Sequence, residues 1–253
     1  MSAQHRYRIE VEFDGTPFVG WQRQDNGPSV QGAIEEAAAR LTQAPGACYG
    51  AGRTDSGVHA IAMTAHLDLA KALPPDNVRD GLNAYLRPAP VSILLAQPVS
   101  PDFHARFQCH RRHYLYRLLD RRSPPVLMRD RVWHVIAPLD VDAMAKAAHP
   151  LIGQHDFTTY RSAHCQAESP LKTLSQFEVT RVGQEVHCAL SAPSFLHNQV
   201  RSLVGTLVQV GLGRAALSQP YDALQACDRR ACGPVAPAHG LYFVKADYPP
   251  TAI

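Results

Sequence analysis

The sequence predicts an α+β protein of two related halves, each a split β-α-β arrangement. Three observations predict it. Apolar residues switch repeatedly between a period of two and a period near 3.6. The first hundred residues read strand, helix, strand, strand, helix, strand. The remainder runs through strands and helices in a similar succession with inserted segments. An N-terminal half over 1–105 and a C-terminal half over 106–253 follow, and a cleft between two such halves is a natural ligand site.

Each element rests on a local signal. In "RYRIEVEFD", Ile9, Val11 and Phe13 alternate on one face, which is strand pattern. "SVQGAIEEAAARL" is a helix, with Ser29 to cap it and Val30, Ile34, Ala37 and Leu41 at helical spacing. Strands follow at "ACYGAG" and "IAMTAHLDL". "PPDNVRDGLNAYL" is a second helix, capped by Asp76, and "VSILLAQPV" a strand. In the second half "RHYLYRLLD" and "RVWHVI" read as strands. "LDVDAMAKAAHPLIG" is a helix begun by Asp140 and closed by Gly153. "LSQFEVTRVGQEVHCALSA" is a hairpin turning at Gly183. "SFLHNQVRSLVGTLVQVG" is the longest helix, burying Leu196, Val200, Leu203 and Leu207. A short helix at "SQPYDALQACD" and a strand at "LYFVKADY" complete the chain.

Composition narrows the function classes. An apolar share of 45% and a charged share of 19% in 253 residues describe an ordinary folded protein. No apolar run is long enough to cross a bilayer, and "MSAQHRYRIE" has no signal-like apolar core, so a cytoplasmic protein is expected. Six cysteines without a CxxC pair point to reduced thiols. Thirteen histidines include no metal-ligand spacing, and "CHRRH" sits among arginines that repel a cation. No Walker loop, dinucleotide fingerprint or GxSxG elbow occurs, and "GLG" at Gly211–Gly213 is a helix cap. The net charge of +3 is modest, yet Arg106, Arg111, Arg112, Arg117, Arg121, Arg122, Arg129 and Arg131 crowd one stretch. Such a basic stripe suits either a solvated face or a phosphate backbone.

Three places can carry chemistry. In "GAGRTDSGVHA", Gly52 and Gly57 supply backbone freedom around Asp55. A lone Asp there can be an Asx-turn residue, or a carboxylate kept ionised by Arg53 and fit for nucleophilic attack. With no second carboxylate in the loop, a glycosidase-like pair is not suggested. In the long helix His197 and Arg201 stand four apart, with Asn198 nearby. Arg201 either snorkels to solvent or needs an acidic partner, for which Asp55 is available. In "RRHYLYR", Tyr114 and Tyr116 share a strand face beside Arg112, as core residues or as a stacking surface for a base.

These residues carry a family likeness. "GRTDSGVHA" resembles the signature loop of the tRNA pseudouridine synthase A family. "FDGTPFVGWQRQ", "DFHARF", "RHYLYR", "HDFTTYR", "SFLHNQVRSLVGTL" and "APAHGLYF" are similar to further blocks of that family, in the same order. The resemblance implies the pseudouridine synthase fold, a mixed, largely antiparallel sheet across the two halves with a central cleft, and a homodimer that isomerises uridine to pseudouridine at positions 38–40 of the tRNA anticodon stem-loop. It implies neither metal nor organic cofactor. It makes Asp55 the nucleophile, Tyr114 the ring stacked on the target uracil, Arg201 the partner of the carboxylate and Leu241 a contact of the base, with Arg53 beside them. Family members often have Met where this chain has Gln199. Two other classes stay open: a non-catalytic RNA-binding protein of two split β-α-β modules, and a hydrolase that releases free uracil.

Overall fold

The computed structural model describes residues 4–163 and 165–250. They form two compact units, one spanning residues 4–110 with 242–250 and the other 111–163 with 165–241. The final strand, read from sequence with the second half, falls almost wholly in the first unit.

The first unit begins β1 (His5–Phe13), α1 (Val30–Thr42), β2 (Ala47–Gly50), β3 (His59–Leu69), α2 (Pro75–Leu86), β4 (Val91–Pro98). That is the β-α-β-β-α-β order expected from the sequence. β1 lies between β4 and β3, antiparallel to both, and β2 pairs antiparallel with the far part of β3. In β11 (Leu241–Asp247), Tyr242 and Phe243 pair parallel with His59 and Ala60. Strand alternation divides the sheet into two faces. Tyr7, Ile9 and Val11 of β1 oppose Leu67, Ala65 and Met63 of β3, and all six are buried. The opposite face carries Arg6, Arg8 and Glu10 beside Asp68, His66 and Thr64.

Ser29 caps α1 as expected, its Oγ accepting from the Gly32 amide at 3.1 Å. α2 departs from expectation: its N-cap is Pro74 with no side-chain bond, and Pro75 occupies the first turn. A proline there loses no helical hydrogen bond, so Asp76 is not needed as a cap.

The second unit runs β5 (Arg111–Asp120), β6 (Trp133–Val135), α3 (Val141–Ala148), β7 (Gly153–Asp156), β8 (Leu171–Leu174), β9 (Gln176–Val182), β10 (Glu185–Ala192), α4 (Gln199–Gly211), α5 (Gln219–Ala226). β10 is antiparallel to β5 and β9, and β6 is parallel to β5. β7 and β8 form a separate antiparallel pair that the sequence reading missed. The expected hairpin turns at Gly183, φ +59°. Asp140 caps α3, but Gly153 opens β7 rather than closing the helix, which gives way to a 3-10 turn at His149–Leu151.

The largest correction concerns α4. It starts at Gln199, so His197 lies before the helix and is not one turn below Arg201. Asn198 is the N-cap, in the left-handed region at φ +63°. Gln199 is 1% exposed and its Oε1 accepts from the Leu196 amide at 2.8 Å, where a methionine would offer only a weak thioether acceptor. Leu196, Val200, Leu203 and Leu207 are buried as expected. Among the described residues no helix is long and apolar enough to cross a membrane.

Candidate active site

In the first unit the Asp55 loop joins β2 to β3. Asp55–Val58 is a turn in which the Val58 amide donates to the Asp55 carbonyl at 3.2 Å. Gly57 sits third in that turn at φ +77°, a conformation that favours glycine. Gly52 does not adopt a positive φ; the second such glycine at this site is Gly20, at +126°. Gly20 and Asp55 form an antiparallel bridge. A Cβ on Gly20 would lie 2.5 Å from the Thr54 carbonyl oxygen, so the segment before α1 presses its backbone against the loop. The Trp21 amide donates to that same carbonyl at 3.1 Å, and Ser56 Oγ donates to the Phe18 carbonyl at 3.1 Å. Main-chain contact thus fixes the half-buried Asp55. Arg53 faces solvent and its Nε donates to Gln22 Oε1 at 3.1 Å; Gln22, not Asp55, is the partner it takes.

In the second unit burial distinguishes the two tyrosines of β5. Tyr116 is fully buried; its hydroxyl donates to the Pro237 carbonyl at 2.7 Å, and burial pushes its pKa well above the ordinary tyrosine value. Tyr116 is therefore a packing residue. Tyr114 is half-buried and meets Phe195 edge-to-face, with ring centres 5.1 Å apart at 86°. Of the two rings, Tyr114 is the one that keeps exposed surface.

Arg201 leaves the first turn of α4. Its Nε donates to the Ala236 carbonyl at 2.8 Å and its Nη1 to Asn198 Oδ1 at 2.9 Å. The main chain closes the same contact, the Ala236 amide donating to the Arg201 carbonyl at 3.0 Å. These bonds fix the plane of the guanidinium. Leu241, 6% exposed, follows the 3-10 turn Ala238–Gly240.

The arginine-rich stretch does not present one face. Alternation along β5 puts Arg112 on the side of Tyr114, and Arg111 and Arg117 on the other. Arg117 pairs with Glu185 through Nη2 at 2.7 Å and holds that carboxyl below its usual range. Arg112 donates to the Pro193 carbonyl, and Arg121 to Gln184 Oε1 at 2.9 Å.

Sequence reasoning missed Gly20, Phe195 and Ala236 as parts of these surroundings. Phe195 and Ala236 reach theirs only through tertiary contact. Asn198 was noted beside Arg201, and asparagine ahead of an apolar helical run is the residue that tolerates the left-handed cap. Among the described residues no group of three or more His, Cys, Asp or Glu side chains is placed to hold a metal ion.

What these arrangements can do chemically is limited. A carboxylate on a stiff turn, without a second carboxylate in its loop, suits nucleophilic or base chemistry better than an acid/base pair. An accessible ring and an oriented guanidinium suit a flat, anion-bearing ligand.

Sequence comparison with known proteins gives a consistent answer. A family profile described as tRNA pseudouridine synthase matches residues 9–108 and 147–249. A tRNA pseudouridine synthase A from Maricaulis maris is 59% identical over 96% of this chain and 98% of its own. One from Rhodospirillum centenum is 56% identical over 96% of this chain and 99% of its own. Among solved structures, a chain of a Cbf5-Nop10-Gar1 complex overlaps 80% of this chain and 45% of its own, at 12% identity and a TM-score of 0.33.

Proposed function

This chain belongs to the tRNA pseudouridine synthase family, and on that premise we propose that it isomerises uridine to pseudouridine at positions 38–40 of the tRNA anticodon stem-loop, with Asp55 as nucleophile. The carrying observation is the full-length likeness to tRNA pseudouridine synthases combined with an Asp55 turn clamped by main-chain bonds. A clamped carboxylate needs no reorganisation as it meets the sugar or the ring.

The reaction detaches uracil and returns it by another atom. The C1′–N1 bond breaks, the base turns, and a C1′–C5 bond forms. C5 loses its proton and N1 gains one, so atoms and charge balance and nothing is oxidised or reduced. Asp55 can serve by attack at C1′, by attack at C6, or by taking the C2′ proton to give a glycal. Tyr114 stacks on the detached base and limits its escape. Arg201, with its plane fixed by Ala236 and Asn198, is the cation that the family likeness assigns to the nucleophile's carboxylate. Leu241 packs on the base, and the exposed Arg53 takes a neighbouring phosphate. The protein acts as a homodimer in the cytoplasm.

The test is pseudouridine formation on unmodified tRNA, read by nuclease digestion and mass spectrometry. Asp55→Ala and Asp55→Asn are expected to bind tRNA as wild type does and to form no product. Substantial turnover by either would overturn the assignment. Free uracil in place of pseudouridine would indicate a hydrolase, and neither product a binding protein. Product at positions other than 38–40 would overturn the site preference alone.

A further inference from the structure

The sheet face of the first unit that carries Arg6, Arg8 and His66 ends in a run of rings the mechanism does not use. Tyr49, on β2, stands opposite His66 on β3, and the two rings stack at 5.0 Å and 20°. His66 meets His104 at 4.6 Å, and His104 meets Phe107 at 4.2 Å and 34°. The inner members are held: His66 is 1% exposed, and its Nδ1 accepts from the Ala105 amide at 3.2 Å. The outer members are open, Tyr49 at 49% and Phe107 at 76% exposure.

Phe107 is not on a slack loop. Gln108 Oε1 accepts from the His104 amide at 2.9 Å, and His104 Nδ1 accepts from the Arg106 amide at 3.2 Å. Arg6 adds bonds from Nη1 to the Pro101 and Phe103 carbonyls, at 2.5 and 2.8 Å. Two large rings are thus held rigidly in water, where aromatic side chains are costly unless something covers them. The histidines between them are uncharged at neutral pH, because burial, and the charge of Arg6 next, push both pKa values down.

We propose that Tyr49 and Phe107 form a second RNA contact, on which an unpaired base of the tRNA stacks away from the Asp55 loop. The inference rests on the reading that the substrate is tRNA. The chemistry favours a base over a protein side chain for three reasons. Tyr49 on β2 and Phe107 in the turn that follows Phe103 leave exposed rings at the margin of that sheet face, and exposed aromatic rings accept unpaired bases. The Arg106 guanidinium lies 5.7 Å from the Phe107 ring, so a cation stands beside the ring surface on which a nucleotide would stack. The remaining nearby charges, Arg6 with Asp68 and the exposed Asp102, do not favour a strongly charged protein partner.

The test compares wild type with Tyr49→Ala, Phe107→Ala and the double variant, using full-length unmodified tRNA. Each single truncation is expected to weaken tRNA affinity about tenfold, as loss of one stacked base does. KM should rise with kcat at saturating tRNA unchanged. Tyr49→Phe and Phe107→Trp, which keep a ring, should bind as wild type. Because stacking is not ionic, the affinity ratio between variant and wild type should hold from about 50 to about 200 mM salt, while both affinities fall steeply. Affinities within twofold of wild type for the folded double variant would sink the proposal. So would dissociation of an oligomer with tRNA affinity unchanged, since the rings would then face a second protein copy. If the double variant does not fold, Phe107→Ala, at the more exposed position, decides alone. Wild-type product is scored in the same samples. Its absence would overturn the functional reading, whereas normal product with unchanged variant affinity would overturn only the stacking site.

Discussion

The Asp55 loop and the Arg201 helix turn are fixed by different means. Around Asp55 the bonds run from main chain to main chain, Trp21 to Thr54 and Val58 to Asp55, with Gly20 letting two backbones touch. Around Arg201 the side chain itself is held, by the Ala236 carbonyl and the Asn198 amide oxygen. A short aspartate cannot reach far, so its backbone must be placed. A long arginine must have its rotamers removed instead. The difference teaches where each place is vulnerable: the first to a Cβ in the wrong position, the second to the loss of an acceptor.

The largest expected effect breaks the first. Gly20→Ala puts a Cβ 2.5 Å from the Thr54 oxygen at a φ of +126°, and should cost about 2–4 kcal/mol. Product formation should fall with it, because the Thr54–Asp55 backbone must move. Ser56→Ala removes only a side-chain bond to Phe18 and should cost about 1 kcal/mol or less. Urea denaturation of both variants checks the contrast. Equal losses would mean that the loop is not held by its main chain.

The same distinction explains what could be read in the sequence. Elements with several turns or alternations declared themselves: β1 through Ile9, Val11 and Phe13, α1 through its Ser29 cap. β7 and β8 escaped because four half-exposed residues carry no period. The start of α4 was misplaced because Leu196 lies at helical spacing from Val200 although the chain turns at Asn198. Asp55 was legible because glycines and charge surround it locally. Gly20 was not, since its requirement comes from the Thr54–Asp55 loop more than thirty residues away in the chain. Nor could periodicity separate Tyr114 from Tyr116, which share a strand face; only the Pro237 carbonyl above Tyr116 does so.

A smaller effect probes the arginine. Asn198→Gly keeps the left-handed backbone and removes the acceptor for Arg201 Nη1. A lost hydrogen bond to a charged group corresponds to roughly tenfold in kcat, with little change in KM for tRNA. Asn198→Asp keeps an acceptor and should stay closer to wild type. Wild-type kcat in Asn198→Gly would show that the Ala236 carbonyl suffices, and the contrast between main-chain and side-chain positioning would narrow to one bond.

The smallest expected effect marks where the first unit departs from its own rule. On the sheet face away from the buried core, side chains do the holding, and His66 is one of them through the Ala105 amide. Burial first, then the charges of Arg6 and His104, push its pKa down to about 4, with Asp68 opposing. In the unfolded chain a histidine titrates near 6.5. Below that pH the unfolded chain takes up a proton that the folded chain refuses until about pH 4. Stability is therefore complete above about 6.5 and falls as the pH drops towards 4, by on the order of 1–2 kcal/mol between about pH 7 and 5. His66→Gln keeps an acceptor and removes the titration, so its urea midpoint should change less over the same interval. An equal fall in the variant would assign the acid loss to other groups. A reduced fall would show that a buried imidazole makes this sheet face sensitive to acid, a dependence on a titrating side chain that the main-chain bonds around Asp55 do not have.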